Sequence, residues 1–279
     1  MIKNVHAFFS IIRPVNVLIT FAAVFIAGII CSGQYINHSI IIYAALSQSF
    51  LAASAYVIND IFDIKIDYIN RPDRVLVKEN LSKTTAYFYY SVLSIISIIF
   101  TFFIDYTAVI IIFISILLIF LYSARLKSIP LLGNIVVSFF TGVAIVFGGY
   151  AVDNWEYAVI PGVFAFLINL IRELLKDIED IKGDKFNNTG TFPIKFGVAK
   201  TKNLIFIIST LLILFTFYPF ITEYYHIEYF VIVICFVNLP LLYFIKILKS
   251  YNEQSQLRNM SNLLKLIMIF GLFAIFMGS

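Results

Sequence analysis

The sequence predicts an all-α polytopic membrane protein, nine transmembrane helices in a bundle with the N-terminus in the cytoplasm and the C-terminus outside. Three observations carry that expectation. Hydrophobic residues make up 61% of the 279 positions and charged residues only 13%, about half the charged share of an ordinary soluble domain. Uncharged apolar runs of about 18 residues recur, each long enough to cross a hydrocarbon layer about 30 Å thick, whereas the short alternating segments of a membrane β-barrel are missing. All 20 Lys and Arg residues fall on alternate loops, or at helix ends facing them, beginning with the N-terminus. That asymmetry is the positive-inside pattern, and it sets the orientation.

The N-terminal segment, with Lys3, His6 and Arg13, leads into a run over 15–32. This run reads as a retained span, because Ile29 and Ile30 precede Cys31 where a lipoprotein cleavage site needs small residues. A turn without Lys or Arg, 33–39, precedes the second run, 40–58, which delivers an acidic cluster. A hydrophilic segment, about 60–83, carries Lys65, Arg71, Arg74, Lys78 and Lys83. The third run, 84–104, turns at Asp105, and the fourth, 107–121, ends at Tyr122, Arg125 and Lys127. Pro130 opens the fifth, which reaches Tyr150. After a turn at 151–156, the sixth run, 157–171, delivers a second acidic cluster and a tail, about 172–202, with seven basic residues. The last runs cover 204–221, 229–248 and 263–277. Segments 60–83 and 172–202 are expected to cap a single domain, 1–279, on the cytoplasmic side of the cell membrane. Topology accounts for the net charge of +4, so no nucleic-acid partner is expected. Cys31 and Cys235 suggest neither a disulfide framework nor a metal pattern.

The two clusters are related. Asn59-Asp60-Ile61-Phe62-Asp63-Ile64-Lys65-Ile66-Asp67 returns 117 positions later as Lys176-Asp177-Ile178-Glu179-Asp180-Ile181-Lys182-Gly183-Asp184, with six of nine positions identical. On a continuous helix Asn59, Asp60, Asp63 and Asp67 share an arc of about 100°, and Asn169, Glu173, Lys176, Asp177, Asp180 and Asp184 share one face. Four helices separate the copies, an even number, so both point to the same side. This is the pattern of a parallel internal duplication, with a matching Asn70 and Asn187 and the ninth helix left over.

Grouped carboxylates repel one another and are stable near a membrane mainly when a cation or basic groups offset them. Solvation of a helix end explains one lone Asp, but poorly explains two near-identical clusters on one side. Oxygen donors without His or Cys favour a hard ion, Mg2+ or Mn2+, over zinc. The expected metal ligands are Asn59, Asp63, Asp67, Asp177, Asp180 and Asp184. Mg2+ is usually held by one or two carboxylates plus phosphate oxygens, so two facing clusters imply a diphosphate between them. Arg71, Arg74, Arg172 and Lys185 adjoin the clusters and suit phosphate oxygens, although topology alone accounts for each singly. Glu173 and Lys176 also suit a plain i,i+3 surface pair. A diphosphate at the mouth of an apolar bundle suggests a prenyl diphosphate, whose allylic C–O bond ionises more easily when Mg2+ and basic groups stabilise the leaving group. The cation needs a dry pocket with aromatic faces, and Tyr56 on the acidic arc is the residue singled out.

At these motifs the sequence resembles the UbiA superfamily of intramembrane prenyltransferases. Asn59, Asp63 and Asp67 match its N-x-x-x-D-x-x-x-D motif, and Asp180 with Asp184 its D-x-x-x-D motif. Tyr122 with Lys127 or Arg125 stands where the family has Tyr-x-x-x-Lys. The resemblance implies a nine-helix bundle with a Mg2+-diphosphate site under a cytoplasmic cap and a tunnel open to lipid. Asp63, Asp67, Asp180, Asp184, Tyr122 and Lys127 are expected to be catalytic, and Asn59, Arg71, Arg125, Lys127 and Arg172 to bind the diphosphate. Asn70-Arg71-Pro72, Pro130-Leu131-Leu132-Gly133-Asn134 and Thr191-Phe192-Pro193-Ile194 are similar to segments of the digeranylgeranylglyceryl phosphate synthase branch. That branch implies Mg2+-dependent transfer of a geranylgeranyl group to the hydroxyl of geranylgeranylglyceryl phosphate, forming an ether lipid. Such an acceptor needs a second basic site, with Lys127 and Lys195 as candidates. Prenylation of an aromatic acceptor, of the 4-hydroxybenzoate or naphthoate type in quinone biosynthesis, is the alternative. A transporter is the distant one, because transport favours charges near the midplane.

Overall fold

The structure, a computed structural model, describes residues 2–33, 37–250 and 254–279. The described residues form helices and turns, with no strand among them. In chain order the helices are α1 (Ile2–Ile12), α2 (Pro14–Ser32), α3 (His38–Phe62), α4 (Ile64–Asn70), α5 (Lys83–Thr101), α6 (Tyr106–Ala124) and α7 (Leu132–Tyr150). They continue as α8 (Val159–Glu179), α9 (Ile181–Phe186), α10 (Phe192–Phe196), α11 (Val198–Ile221), α12 (Ile227–Val233), α13 (Leu239–Ser250) and α14 (Gln254–Gly278). Nine helical segments among the described residues are long and apolar enough to cross a membrane: α2, α3, α5, α6, α7, Trp155–Glu179, α11, Ile227–Ser250 and Gln256–Gly278. The chain is a multi-pass membrane protein.

Local chemistry sets the helix starts. Ser82 accepts from the backbone N–H of Thr85 at 3.0 Å, and Asp105 from that of Ala108 at 2.7 Å, each satisfying a donor that a first turn leaves unpaired. Pro14 opens α2, where a missing N–H costs nothing. In the eighth span Pro240 follows a π-turn over Ile234–Asn238, a wider turn of the kind that accommodates a proline ring within a helix.

Two large apolar cores divide the bundle, and a small third cluster, Ala27, Ile145 and Ala165, joins α2, α7 and α8. One gathers residues of α1, α2, α3, α5 and α6 with Phe147 and Ala151, and the other gathers residues of α8 and α11–α14. Lipid tails are as apolar as the helices, so close backbone approach, not hydrophobic burial, must join the halves. Gly148 of α7 supplies one such contact, for a Cβ there would lie 2.4 Å from the Val24 carbonyl oxygen of α2. Gly142 does the same against Gly162 of α8, at 2.7 Å.

Four expectations change. The continuous helix through the first acidic cluster breaks at Asp63 (φ −90°, ψ 1°), between α3 and α4. The second breaks the same way at Asp180 (φ −92°, ψ 3°), between α8 and α9. The sixth span stays helical to Glu179, well past the run ending at 171, because the charged residues beyond it pair with one another within the helix. The last helix begins at Gln254, so its polar first turns are helix and Lys265 lies far inside it.

Candidate active site

At each break the aspartate N–H stays within the helix pattern, donating to Asn59 O at 2.9 Å for Asp63 and to Lys176 O at 2.8 Å for Asp180. The short helices that follow, α4 and α9, pack against each other. Asn70 holds them together, donating to Asp180 O at 2.9 Å and accepting from the Gly183 N–H at 3.0 Å. Glycine is required there, because a Cβ on residue 183 would sit 2.5 Å from the Asn70 amide nitrogen. Arg71 completes the bridge with both oxygens of Asp180, at 2.9 and 2.8 Å, and lies 3.6 Å from Asp67. The two clusters therefore meet at one end of the bundle.

Their side chains line a polar cavity of about 90 Å³, with Asn59, Asp63 and Asp67 from the first cluster and Asp177, Asp180 and Asp184 from the second. Asn59 donates to Asp63 at 2.7 Å, and Asp63 also pairs with Lys127. Asn134 donates to Asp177 at 2.9 Å, and Thr191 to Asp184 at 3.2 Å. Burial raises the Asp67 carboxyl to about 6 and the Asp184 carboxyl to about 7, because removing water penalises the charged form. Burial also raises Asp180, against the pull of Arg71.

A second, larger cavity of about 240 Å³ adjoins the first, lined by apolar groups such as Leu51, Ile119, Phe140 and Met268. Arg13, Asn59, Tyr122, Glu173 and Lys176 line both cavities. Arg13 lies 4.8 Å from the ring centre of Tyr56, which faces the larger cavity. A polar chamber thus opens onto an apolar one, with Tyr122 between them.

Among the described residues no three carboxylate, imidazole or thiol groups are gathered closely enough to hold a metal by themselves. The donors present still fit Mg2+. They are oxygens without His or Cys, they face one cavity, and Mg2+ commonly completes its shell with substrate phosphates. Lys127 and Arg71, now paired with Asp63 and Asp180, are the cations that phosphate oxygens would attract.

Several expectations shift at this level. Asp60, read as part of the acidic arc, is buried away from the cavity, paired with Arg13 and with Arg74 at 3.0 Å. Of the two bases after Tyr122, Lys127 reaches the polar cavity, while Arg125 is exposed and lines neither. Arg172 lines the larger cavity, not the acidic one. Lys185 and Lys195 are exposed. The cavity roles of Asn134 and Thr191 and the bridging role of Asn70 carry no signal in the acidic motifs themselves. In the sequence Arg13 reads only as a topological charge, because nothing in an N-terminal segment reveals what it will fold against.

The sequence matches the UbiA prenyltransferase family over residues 16–270. It is 30% identical over 274 residues to a digeranylgeranylglyceryl phosphate synthase of Methanosphaera stadtmanae, covering 98% of this chain and 99% of that one. A solved structure of a digeranylgeranylglyceryl phosphate synthase superposes with a TM-score of 0.75 at 29% identity, covering 100% of this chain and 99% of the other. A UbiA homologue from Archaeoglobus fulgidus, bound to GPP and Mg2+, shares the fold at a TM-score of 0.70 and 17% identity, covering 96% of this chain and 99% of the other. With paired acidic breaks at one end of a nine-span bundle and a family match across most of its length, the chain belongs to the UbiA prenyltransferase family.

Proposed function

We propose that this enzyme transfers a geranylgeranyl group from its diphosphate to the free hydroxyl of geranylgeranylglyceryl phosphate, forming an ether lipid. The observation that carries this reading is the pair of adjoining cavities, one polar and ringed by carboxylates, one apolar and headed by basic side chains. The relatives named as synthases of that lipid support the choice of substrates. Asn59, Asp63, Asp67, Asp177, Asp180 and Asp184 would hold Mg2+ between the two clusters. When bound, the ion neutralises the diphosphate and stabilises its departure.

Lys127 and Arg71 add donors to the diphosphate oxygens, and Arg's planar fork suits them bidentately. The C1–oxygen bond to diphosphate breaks, and the acceptor hydroxyl forms the new C–O bond at the same carbon. Its proton is lost to the polar lining where the cavities meet. Tyr122 and Tyr56 offer aromatic faces to the developing cation, and the apolar walls exclude the water that would otherwise capture it. The whole chain works as one catalytic domain in the cell membrane. The loop charges support a site on the cytoplasmic face.

The test is product identification with purified protein, Mg2+, radiolabelled geranylgeranyl diphosphate and a panel of acceptors. The expected product is the diether phosphate, formed only while Mg2+ is present. Product from aromatic acceptors alone would overturn the acceptor assignment, and activity insensitive to chelation would overturn the metal site.

A further inference from the structure

Lys265 is the one basic side chain among the described residues that lies deep within a spanning helix without belonging to either acidic cluster. It stands eleven residues past Gln254 in α14, about 16 Å along the helix axis. An intramembrane charge is costly and persists where it has work or a partner. No carboxylate pairs with Lys265 among the described residues. It lines the larger cavity.

That cavity carries more positive charge than it neutralises. Its charged lining is Arg13, Arg172, Lys176 and Lys265 against Glu173 alone. Asp60 offsets Arg13 from behind, whereas Glu173 is shared by Arg172 at 3.0 Å and Lys176 at 2.8 Å. Four positive side chains thus face one negative one in the lining, and Asp60 behind Arg13 is itself shared with Arg74 at 3.0 Å. In addition, the Nε of Arg172 and that of Arg13 are buried with no hydrogen-bond partner, a state that costs free energy unless something else accepts from them.

We propose that Lys265 and Arg172 form an anion subsite in the larger cavity that grips the phosphate of the acceptor, separate from the site that grips the diphosphate of the donor. The inference rests on the ether-lipid reading for the identity of the anion, a phosphate monoester one or two carbons from the reacting hydroxyl. That spacing suits the location, because Arg172 adjoins Glu173, which lines both cavities. Prenyl chain and acceptor chain then share apolar walls while their charged heads are held by opposite chemistries, carboxylates with a divalent cation for one and bare cations for the other.

The test is steady-state kinetics on the full chain in detergent with Mg2+, varying one substrate while the other saturates. In Lys265→Met the KM for geranylgeranylglyceryl phosphate is expected to rise at least tenfold, with the KM for geranylgeranyl diphosphate within twofold of wild type. Lys265→Arg, which keeps the charge, is expected to stay within threefold on both and controls for misfolding. Uncharged geranylgeranylglycerol should show no difference between wild type and Lys265→Met. An unmoved acceptor KM, or an equal rise for the diphosphate substrate, overturns the subsite. If wild type instead turns over 4-hydroxybenzoate and not the glyceryl phosphate, the ether-lipid reading fails. The anion subsite then stands only if Lys265→Met raises the KM for that carboxylate.

Discussion

The two acidic stretches share a backbone and differ in what surrounds them. Both break at an aspartate with nearly the same dihedral angles, and both send a short helix toward the other. Yet Asp60 is buried behind the first cluster with Arg13 and Arg74, while its counterpart Asp177 faces the polar cavity and accepts from Asn134. Asn59 lines the cavity as a neutral donor to Asp63, while its counterpart Lys176 is spent on Glu173. A repeated sequence thus supplies one buried anchor and one cavity-lining carboxylate from the same position. What separates them is the partner that each finds, and the partners lie outside the repeat.

The largest effect should come from what the copies share. Replacing Asp63 or Asp180 by Ala should each reduce turnover roughly 1000-fold, the scale of losing a charge-stabilising group in an active site. Loss in one cluster only would break the symmetry of the proposed clamp. The next effect should separate the copies. Asp60→Asn breaks a buried ion pair and leaves Arg13 uncompensated and Arg74 with only Asp67, at 4.0 Å, at a cost of about 3–5 kcal/mol, read as a lower unfolding midpoint in detergent. Asp177→Asn should leave that midpoint nearly unchanged and weaken Mg2+-dependent activity instead. The opposite assignment would contradict the roles drawn from burial.

A smaller effect tests the contact between the copies. Gly183→Ala forces α4 and α9 apart against Asn70 and the Ile66 carbonyl oxygen, which a Cβ would meet at 2.7 Å. Such overpacking costs about 1–3 kcal/mol, seen in the melting temperature together with a weaker apparent affinity for Mg2+. The mildest effect is that of pH. With carboxyls raised to about 6 at Asp67 and about 7 at Asp184, protons occupy them below those values and Mg2+ must displace them. Affinity for Mg2+ should therefore fall as pH drops from 8 toward 6, by about tenfold through Asp184 and about twofold through Asp67. A flat titration by calorimetry would show that these two carboxylates are not ligands.

Much of the fold was legible because hydropathy reports on the bilayer directly, and the turn at Asp105 holds a residue type that caps the helix after it. The acidic pair was legible because the repeat places the same residue types at the same spacing. The breaks at Asp63 and Asp180 were not, since their neighbours Phe62 and Ile64, and Glu179 and Ile181, are ordinary helix residues and the break depends on packing between distant helices. Asp60 was misplaced for the same reason, its arginines being 47 and 14 residues away. Hydropathy alone puts Lys265 at a helix end, because the apolar run begins at 263, whereas the helix itself begins at Gln254.

The central claim is that both clusters, acting together, hold one diphosphate through Mg2+. The most direct measurement is equilibrium binding of radiolabelled geranylgeranyl diphosphate to the full chain, with Mg2+ and with chelator, in wild type, Asp67→Asn and Asp184→Asn. The expected result is tight binding by wild type only with Mg2+, and loss of that Mg2+-dependent part in either variant alone. Binding that is equally tight in chelator, or that keeps its full Mg2+ dependence after one cluster is disabled, would contradict it.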